Sequence, residues 1–285
     1  MATHNRRLTL ARAVDGLPSI GRRALWPVVT GLALVVVWEV GARARLPAYV
    51  ARPSGIVAAF PSVVTTPLFW ADALSTCSAI VEGVVVGTFV GAVLGLVMGR
   101  VREVGWLLAP LVRSLYSMPL IALVPIMVLW MGYTQTARLV AIVVAVLLPV
   151  AVSTSDGARL LSPDFLDVGK VFRARPHQVW FGIALPAALP QLLAGVDIGI
   201  GRAFTNGVAV EVLASVTGLG YQLFDEAQSL RDAVSFVYVI ALAVFAIAAR
   251  TGVRMLSRRL APWYRPREPT APGRLRREPA QVVGA

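Results

Sequence analysis

Residues 155–190 read SDGARLLSPDFLDVGKVFRARPHQVWFGIALPAALP, and the organisation of the chain follows from this stretch. It lies between two long apolar runs and carries Arg159, Lys170, Arg173 and Arg175. It is neither long enough nor apolar enough to span a bilayer, and its cations mark it as cytoplasmic if its neighbours are membrane spans. Its apolar residues recur at helical spacing, at Phe165, Val168 and Phe172 and again at Val179 and Ile183. Ser162-Pro163-Asp164 reads as a helix start and Arg175-Pro176 as a break. The pattern predicts two short amphipathic helices with a bend between them, ended by Leu185-Pro186. Such a loop can insert into a groove on a soluble partner. A polar connector lying on the membrane surface fits the same pattern.

Composition agrees with spans on either side. The chain is 57% hydrophobic and 15% charged, with a mean hydropathy of +0.72. That is the composition of a polytopic membrane protein, all-α, surrounded by membrane lipid. The net charge of +12 is almost all arginine, since Lys170 is the only lysine. These arginines sit at the ends of apolar runs, which excludes nucleic acid as the partner they serve. Cys77 is the only cysteine and falls in an apolar run, so no disulfide or thiolate cluster can form within the chain. His4 and His177 have no ligand partners at motif spacing, and no metal or cofactor site is expected.

Six spans are predicted, at about 24–42, 74–99, 106–131, 136–153, 189–213 and 233–249. They form one domain over 24–264, with a loop at 155–186, a polar arm at 1–23 and a disordered basic tail at 265–285. The first run is of full spanning length and is read as a span, not a signal peptide. A short surface helix is predicted from Ser54. The second span carries Gly83, Gly87, Gly91, Gly95 and Gly99, a repeat that permits very close helix packing. The third is interrupted by Pro119 and Pro125, which free backbone carbonyls where a helix packs or lines a cavity. Gly132-Tyr133-Thr134 makes a tight turn.

Lysine and arginine counts orient the chain. Five precede the first span, two flank Val101, four lie in the 155–186 loop and nine follow from Arg250 onward, against four in the alternate segments. The asymmetry predicts both termini in the cytoplasm and a multi-pass protein of the cell inner (plasma) membrane. The only Gly-Lys pair, Gly169-Lys170, is followed by Val171, so the chain has no phosphate-binding P-loop. Nor does it carry a G-x-S-x-G or H-E-x-x-H motif, and nothing in it suggests an enzyme.

The chain resembles the inner-membrane permease subunits of ABC importers, most of all the nitrate/taurine/aliphatic-sulfonate branch. In that family the loop between spans four and five follows E-A-A-x-x-x-G-x9-I-x-L-P. Ile183-Ala184-Leu185-Pro186 matches its end, which puts Asp167-Val168-Gly169 at the E-A-A positions and Arg173 at the glycine. Supporting pieces are Trp38-Glu39, Arg52-Pro53-Ser54, Ser75-Thr76, Leu129-Trp130-Met131-Gly132, Glu211 with Gly218-Leu219-Gly220, and the closing run from Arg258 to Trp263. The resemblance implies coupling helices that dock on ATPase subunits, through Phe165, Asp167, Val168, Gly169, Phe172, Arg173, Leu185 and Pro186. It implies two ATP-binding subunits, a second permease copy, and an extracytoplasmic solute-binding protein. The function implied is a translocation pathway for a small solute such as a sulfonate, taurine or nitrate. The other reading of the composition is a self-sufficient secondary transporter or channel.

The fifth span carries Asp197, Arg202, Asn206 and Glu211. At 100° per residue Asp197 and Glu211 share one stripe, while Gly195, Gly199, Arg202 and Asn206 share the opposite one. Charges inside a bilayer face protein or water, so this helix is expected to be surrounded by others. Arg202, Asn206, Glu211, Pro119 and Pro125 are the candidates for the pathway. Asp197 and Glu211 reaching the two interfaces, with Arg202 and Asn206 bonded to neighbouring helices, is the structural alternative.

Overall fold

The computed structural model describes residues 19–44, 50–160 and 171–262. Among these residues all regular structure is helical. The elements are α1 (Ser19–Ala44), α2 (Pro53–Val64), α3 (Pro67–Arg100), α4 (Arg102–Ser117), α5 (Val124–Met131), α6 (Gln135–Arg159), α7 (Leu185–Leu213), α8 (Leu219–Gln228) and α9 (Asp232–Leu260). A 3-10 turn, Leu120–Leu123, leads into α5, and helical turns at Pro176–Val179 and Trp180–Ala184 lead into α7.

Five stretches are long and apolar enough to cross a membrane: Trp26–Ala44, Pro67–Arg100, Gln135–Arg159, His177–Leu213 and Asp232–Leu260. α4 with Leu120–Met131 makes a sixth only as a bent pair, turned by 90°. The fold is thus all-α and polytopic. Large apolar side chains such as Leu32, Val36, Phe89, Trp106, Leu107 and Ile247 stand exposed along these helices, as expected where hydrocarbon surrounds the protein.

α6 is the centre of the bundle, packed between α3 on one side and α7 on the other. More than half of its apolar window, 56%, is buried, twice the 28% of either neighbour. The glycine repeat of α3 meets α6 throughout. A Cβ at Gly87 would lie 2.8 Å from the Val143 carbonyl oxygen, and one at Gly91 2.7 Å from that of Leu147. On the facing helix the nearest atoms are the carbonyls of Val143, Leu147, Ala151 and Ser155 and the Cβ atoms of Val146, Val150 and Thr154, so backbone approaches backbone. The repeat is therefore a seam within one chain.

α2, α8 and α9 pack around the start of α3, with Ile56, Phe69, Leu219, Val237 and Tyr238 as their common core. α1 lies at the periphery. It is fastened by Glu39, which accepts from the Ser54 backbone N–H (3.0 Å) and from Ser54 Oγ (2.8 Å), and by Trp38, whose ring is 5.6 Å from that of Phe236. Glu39 thereby caps the first turn of α2, which starts at Pro53, beside the predicted Ser54. Thr134 caps α6 by accepting from the Ala137 N–H at 3.2 Å, directly after the turn in which Gly132 takes φ 76°.

Three expectations are corrected. The helix after Arg175 does not end at Leu185-Pro186. It runs on into α7 through the wide π turn at Trp180–Ala184, where Leu185 N–H bonds Trp180 C=O, and Pro186 falls in the first turn of α7. The sixth span extends to Leu260, so Arg250, Arg254, Arg258 and Arg259 ride on the helix instead of following it. The third span is not one helix but two at right angles. Of the loop residues, Phe165, Asp167, Val168 and Gly169 lie outside the described residues, as do the arm through residue 18 and the tail from residue 263.

Candidate functional site

The break in the third span creates the site. Pro119 has no N–H and disfavours helix at the residue before it, so Met118 turns extended (φ −74°, ψ 144°) and α4 stops. The chain turns through Leu120–Leu123 and α5 begins at Val124. Pro125 stands in the first turn of α5, where a missing donor costs nothing, and it is exposed, away from the cavity described next.

Opposite the break, Ile198, Gly201, Arg202, Thr205 and Asn206 form one face of α7. Between this face and residues Met118–Ile121 lies a cavity of about 420 Å³, which Arg250 of α9 also reaches. Non-helical backbone at membrane depth is stable where it lines such a space. Arg202 Nη1 donates to the Tyr116 carbonyl at 3.3 Å, and its guanidinium lies 4.2 Å over the Tyr116 ring. A cation stacked in this way is held flat, with donors left over for a ligand. Asn206 Nδ2 donates to the Arg202 carbonyl at 2.9 Å, which leaves its Oδ1 as an acceptor. Arg202 makes no salt bridge among the described residues. The cavity thus offers an unneutralised planar cation, hydroxyl and amide groups, and an apolar floor, which suits a small anion.

Pro119, Arg202 and Asn206 are brought together here; Pro125 and Glu211 are not. Glu211 does not line this cavity; it lies two residues before the end of α7 at Leu213 and points into the bundle. Its side chain is 0% exposed and sits among α3, α6 and the 214–220 segment. Oε1 accepts from Arg138 Nη1 and from Thr76 Oγ1, each at 2.8 Å, and Oε2 accepts from the Gly220 N–H at 2.8 Å. Arg138 also donates to the carbonyls of Thr217 (3.1 Å) and Ser75 (3.2 Å). Gly218 and Gly220 are glycines for want of space: a Cβ at either would lie 2.5 or 2.8 Å from the Glu211 carboxylate. Asp197 is likewise paired within the bundle, to Arg250 (2.9 Å) and Arg254 (3.3 Å) of α9.

Sequence reasoning missed the partners Arg138, Thr76 and Arg250. The cation Arg138 in span four and the anions Asp197 and Glu211 in span five carried the signal, because none of them is tolerated unpaired in a bilayer. In the loop, Phe172 is 80% exposed beside exposed Val171, and Arg173 takes φ 51°, a left-handed conformation that glycine adopts freely. Leu185 and Pro186 are built into α7.

A family model described as the binding-protein-dependent transport system inner membrane component matches residues 83–263. The chain is 31% identical to the taurine transport system permease protein of Escherichia coli K12, over 55% of this chain and 58% of that protein. It is 30% identical to a bicarbonate transport system permease protein of Synechocystis, over 54% and 56%. It is 32% identical to a riboflavin transport system permease protein of Chloroflexus aurantiacus, over 85% and 92%. The matches to the taurine and bicarbonate permeases span little more than half the length of those relatives.

Proposed function

The chain belongs to the family of binding-protein-dependent transport system inner membrane components, and from that premise we propose that it forms the membrane pathway of an ABC importer for a small organic or inorganic anion. The observation that carries the proposal is the cavity at the broken span, where Arg202 stands without a carboxylate partner among the described residues. Arg202 is 17 residues into α7 and 11 from its end at Leu213, about the middle of the span. A guanidinium at that depth costs several kcal/mol unless a partner or water meets it. A translocating sulfonate, carboxylate or bicarbonate is such a partner. The names of the taurine, sulfonate and bicarbonate permeases among the relatives support an anion.

In this reading two copies of the chain enclose the pathway. An external binding protein delivers the solute, and two ATPase subunits dock on the loop that contains Phe165, Asp167, Val168, Gly169, Phe172 and Arg173. The exposed Val171 and Phe172 support that docking, since apolar side chains beyond the spans need cover. The charge asymmetry supports cytoplasmic termini. Family membership speaks against a self-sufficient secondary transporter.

The test is uptake by the chain reconstituted with its ATPases and binding protein. Arg202→Gln should reduce uptake of the cognate anion on the order of tenfold or more, the worth of one charge-assisted bond, with assembly unchanged. Arg202→Lys should fall between. Unaltered uptake by Arg202→Gln would remove Arg202 from the pathway.

A further inference from the structure

A second cavity, of about 340 Å³, opens between α7 and α9 toward the arginine-rich end of the bundle. Its walls are of two kinds. Leu193, Ala194 and Val253 are apolar, whereas Arg254, Ser257 and Arg258 supply two cations and a hydroxyl, and Asp197 a carboxylate that is itself bonded to Arg254. Arg250, Arg254 and Arg258 stand four residues apart along α9, so they follow one another up one side of the helix. Asp197 is the one carboxylate bonded to this row among the described residues, so three positive charges face one negative. Even when paired, the side chains of Arg250 and Arg254 stay 43% and 62% exposed, and Arg258 makes no salt bridge among the described residues.

Depth decides what can complete the cluster. Arg254 and Arg258 lie six and two residues before the end of α9 at Leu260, or ~9 Å and ~3 Å along the helix axis. That is where hydrocarbon gives way to headgroups. A guanidinium there either reaches for the headgroup layer or draws an anion to itself. The missing partner must carry negative charge at that depth and apolar surface directly below it. An acidic peptide would match the arginines and leave Leu193, Ala194 and Val253 uncovered. A free inorganic anion would do the same.

We infer that this cavity is a binding site for an anionic phospholipid, whose phosphate rests on Arg254 and Arg258 and whose acyl chain lies along Leu193, Ala194 and Val253. Basic pockets between membrane helices recognise headgroups by this combination of charge and apolar wall. Asp197 holds Arg250 and Arg254 in place without cancelling the row's charge. The inference needs only the bilayer and stands whether or not Arg202 binds a solute.

The test is native mass spectrometry of the full-length chain in detergent, titrated with phosphatidylglycerol or with phosphatidylcholine of the same acyl chains. Phosphatidylglycerol should be retained preferentially, and R254Q/R258Q should weaken it on the order of fivefold per arginine removed. R258Q alone leaves both Asp197 pairs intact, so it tests the site even if the double variant folds poorly; it should show about the single-arginine loss. Equal retention of the two lipids, or an R258Q variant that binds phosphatidylglycerol as the parent does, would overturn the inference. So would loss of phosphatidylglycerol to excess inorganic phosphate, which would make the site one for a free anion. Displacement by a purified ATPase subunit or by a second copy of the chain would assign the groove to a protein contact and overturn it as well.

Discussion

Glu211 and Arg138 form a charge pair with no access to water, and their neighbours define what they do. The carboxylate bonds α3 through Thr76, α6 through Arg138 and the start of α8 through Gly220. The pair therefore fixes the 214–220 segment onto three helices. Removing one partner leaves the other buried and uncompensated, at a cost of about 3–5 kcal/mol. We expect Glu211→Gln to lower the thermal unfolding midpoint in detergent markedly. Glu211→Leu with Arg138→Met should recover most of that loss, because an apolar pair needs no counter-charge. A double variant as unstable as Glu211→Gln alone would show that the pair contributes more than mutual neutralisation. At this scale the sequence showed which residues were costly but not which residues they meet. Arg138, Glu211 and Asp197 were legible as charges inside apolar runs, but their pairing depends on helix neighbours 50–75 positions away along the chain. Arg173 is the reverse case. The family pattern has glycine where Arg173 stands, and its φ of 51° keeps the left-handed turn at a cost of about 1 kcal/mol.

Helices α3 and α6 show how far spacing alone can be read. Five glycines four residues apart predicted a close seam, and the seam exists. That α6 fills it was not legible, because the partner face carries Ile142, Val146 and Val150 and not a matching row of small residues; the carbonyls of Val143, Leu147 and Ala151 complete it only once the two helices are side by side. At Gly91 a larger side chain would meet the Leu147 carbonyl oxygen at 2.7 Å and Val150 Cβ at 2.9 Å. A backbone oxygen on a helix cannot step aside, so the helices must part. We expect Gly91→Leu to cost at least about 3 kcal/mol in thermal unfolding. Gly31→Leu on α1, where a Cβ meets nothing within 4 Å, should be neutral and serves as the control. Equal behaviour of the two variants would contradict the seam. The broken third span was legible as two prolines and no further. Pro119 interrupts a helix wherever it falls, but the 90° turn is set by the face of α7 that the unwound residues meet.

Across the whole molecule, the apolar runs made the all-α polytopic architecture readable before any coordinate. They gave no information on which parts are mechanically joined. The backbone-to-backbone contact of α3 with α6, continued on the other side by Gly195 and Gly199 of α7 against Pro149, Val150 and Val146, has a consequence for motion. Helices separated by flexible side chains can slide, whereas helices in contact through their main chains interlock like a ratchet and move as one solid. If the chain lines a transport pathway as proposed, we expect α3, α6 and α7 to be the part that stays rigid. We then expect the hinge to lie outside them, at Met118-Pro119 or where α1 hangs on the Ser54 cap. Spin labels on the outer faces of α3 and α6 should keep one distance distribution with and without ATP bound to the partner subunits. A label on α5 measured against α6 should show two.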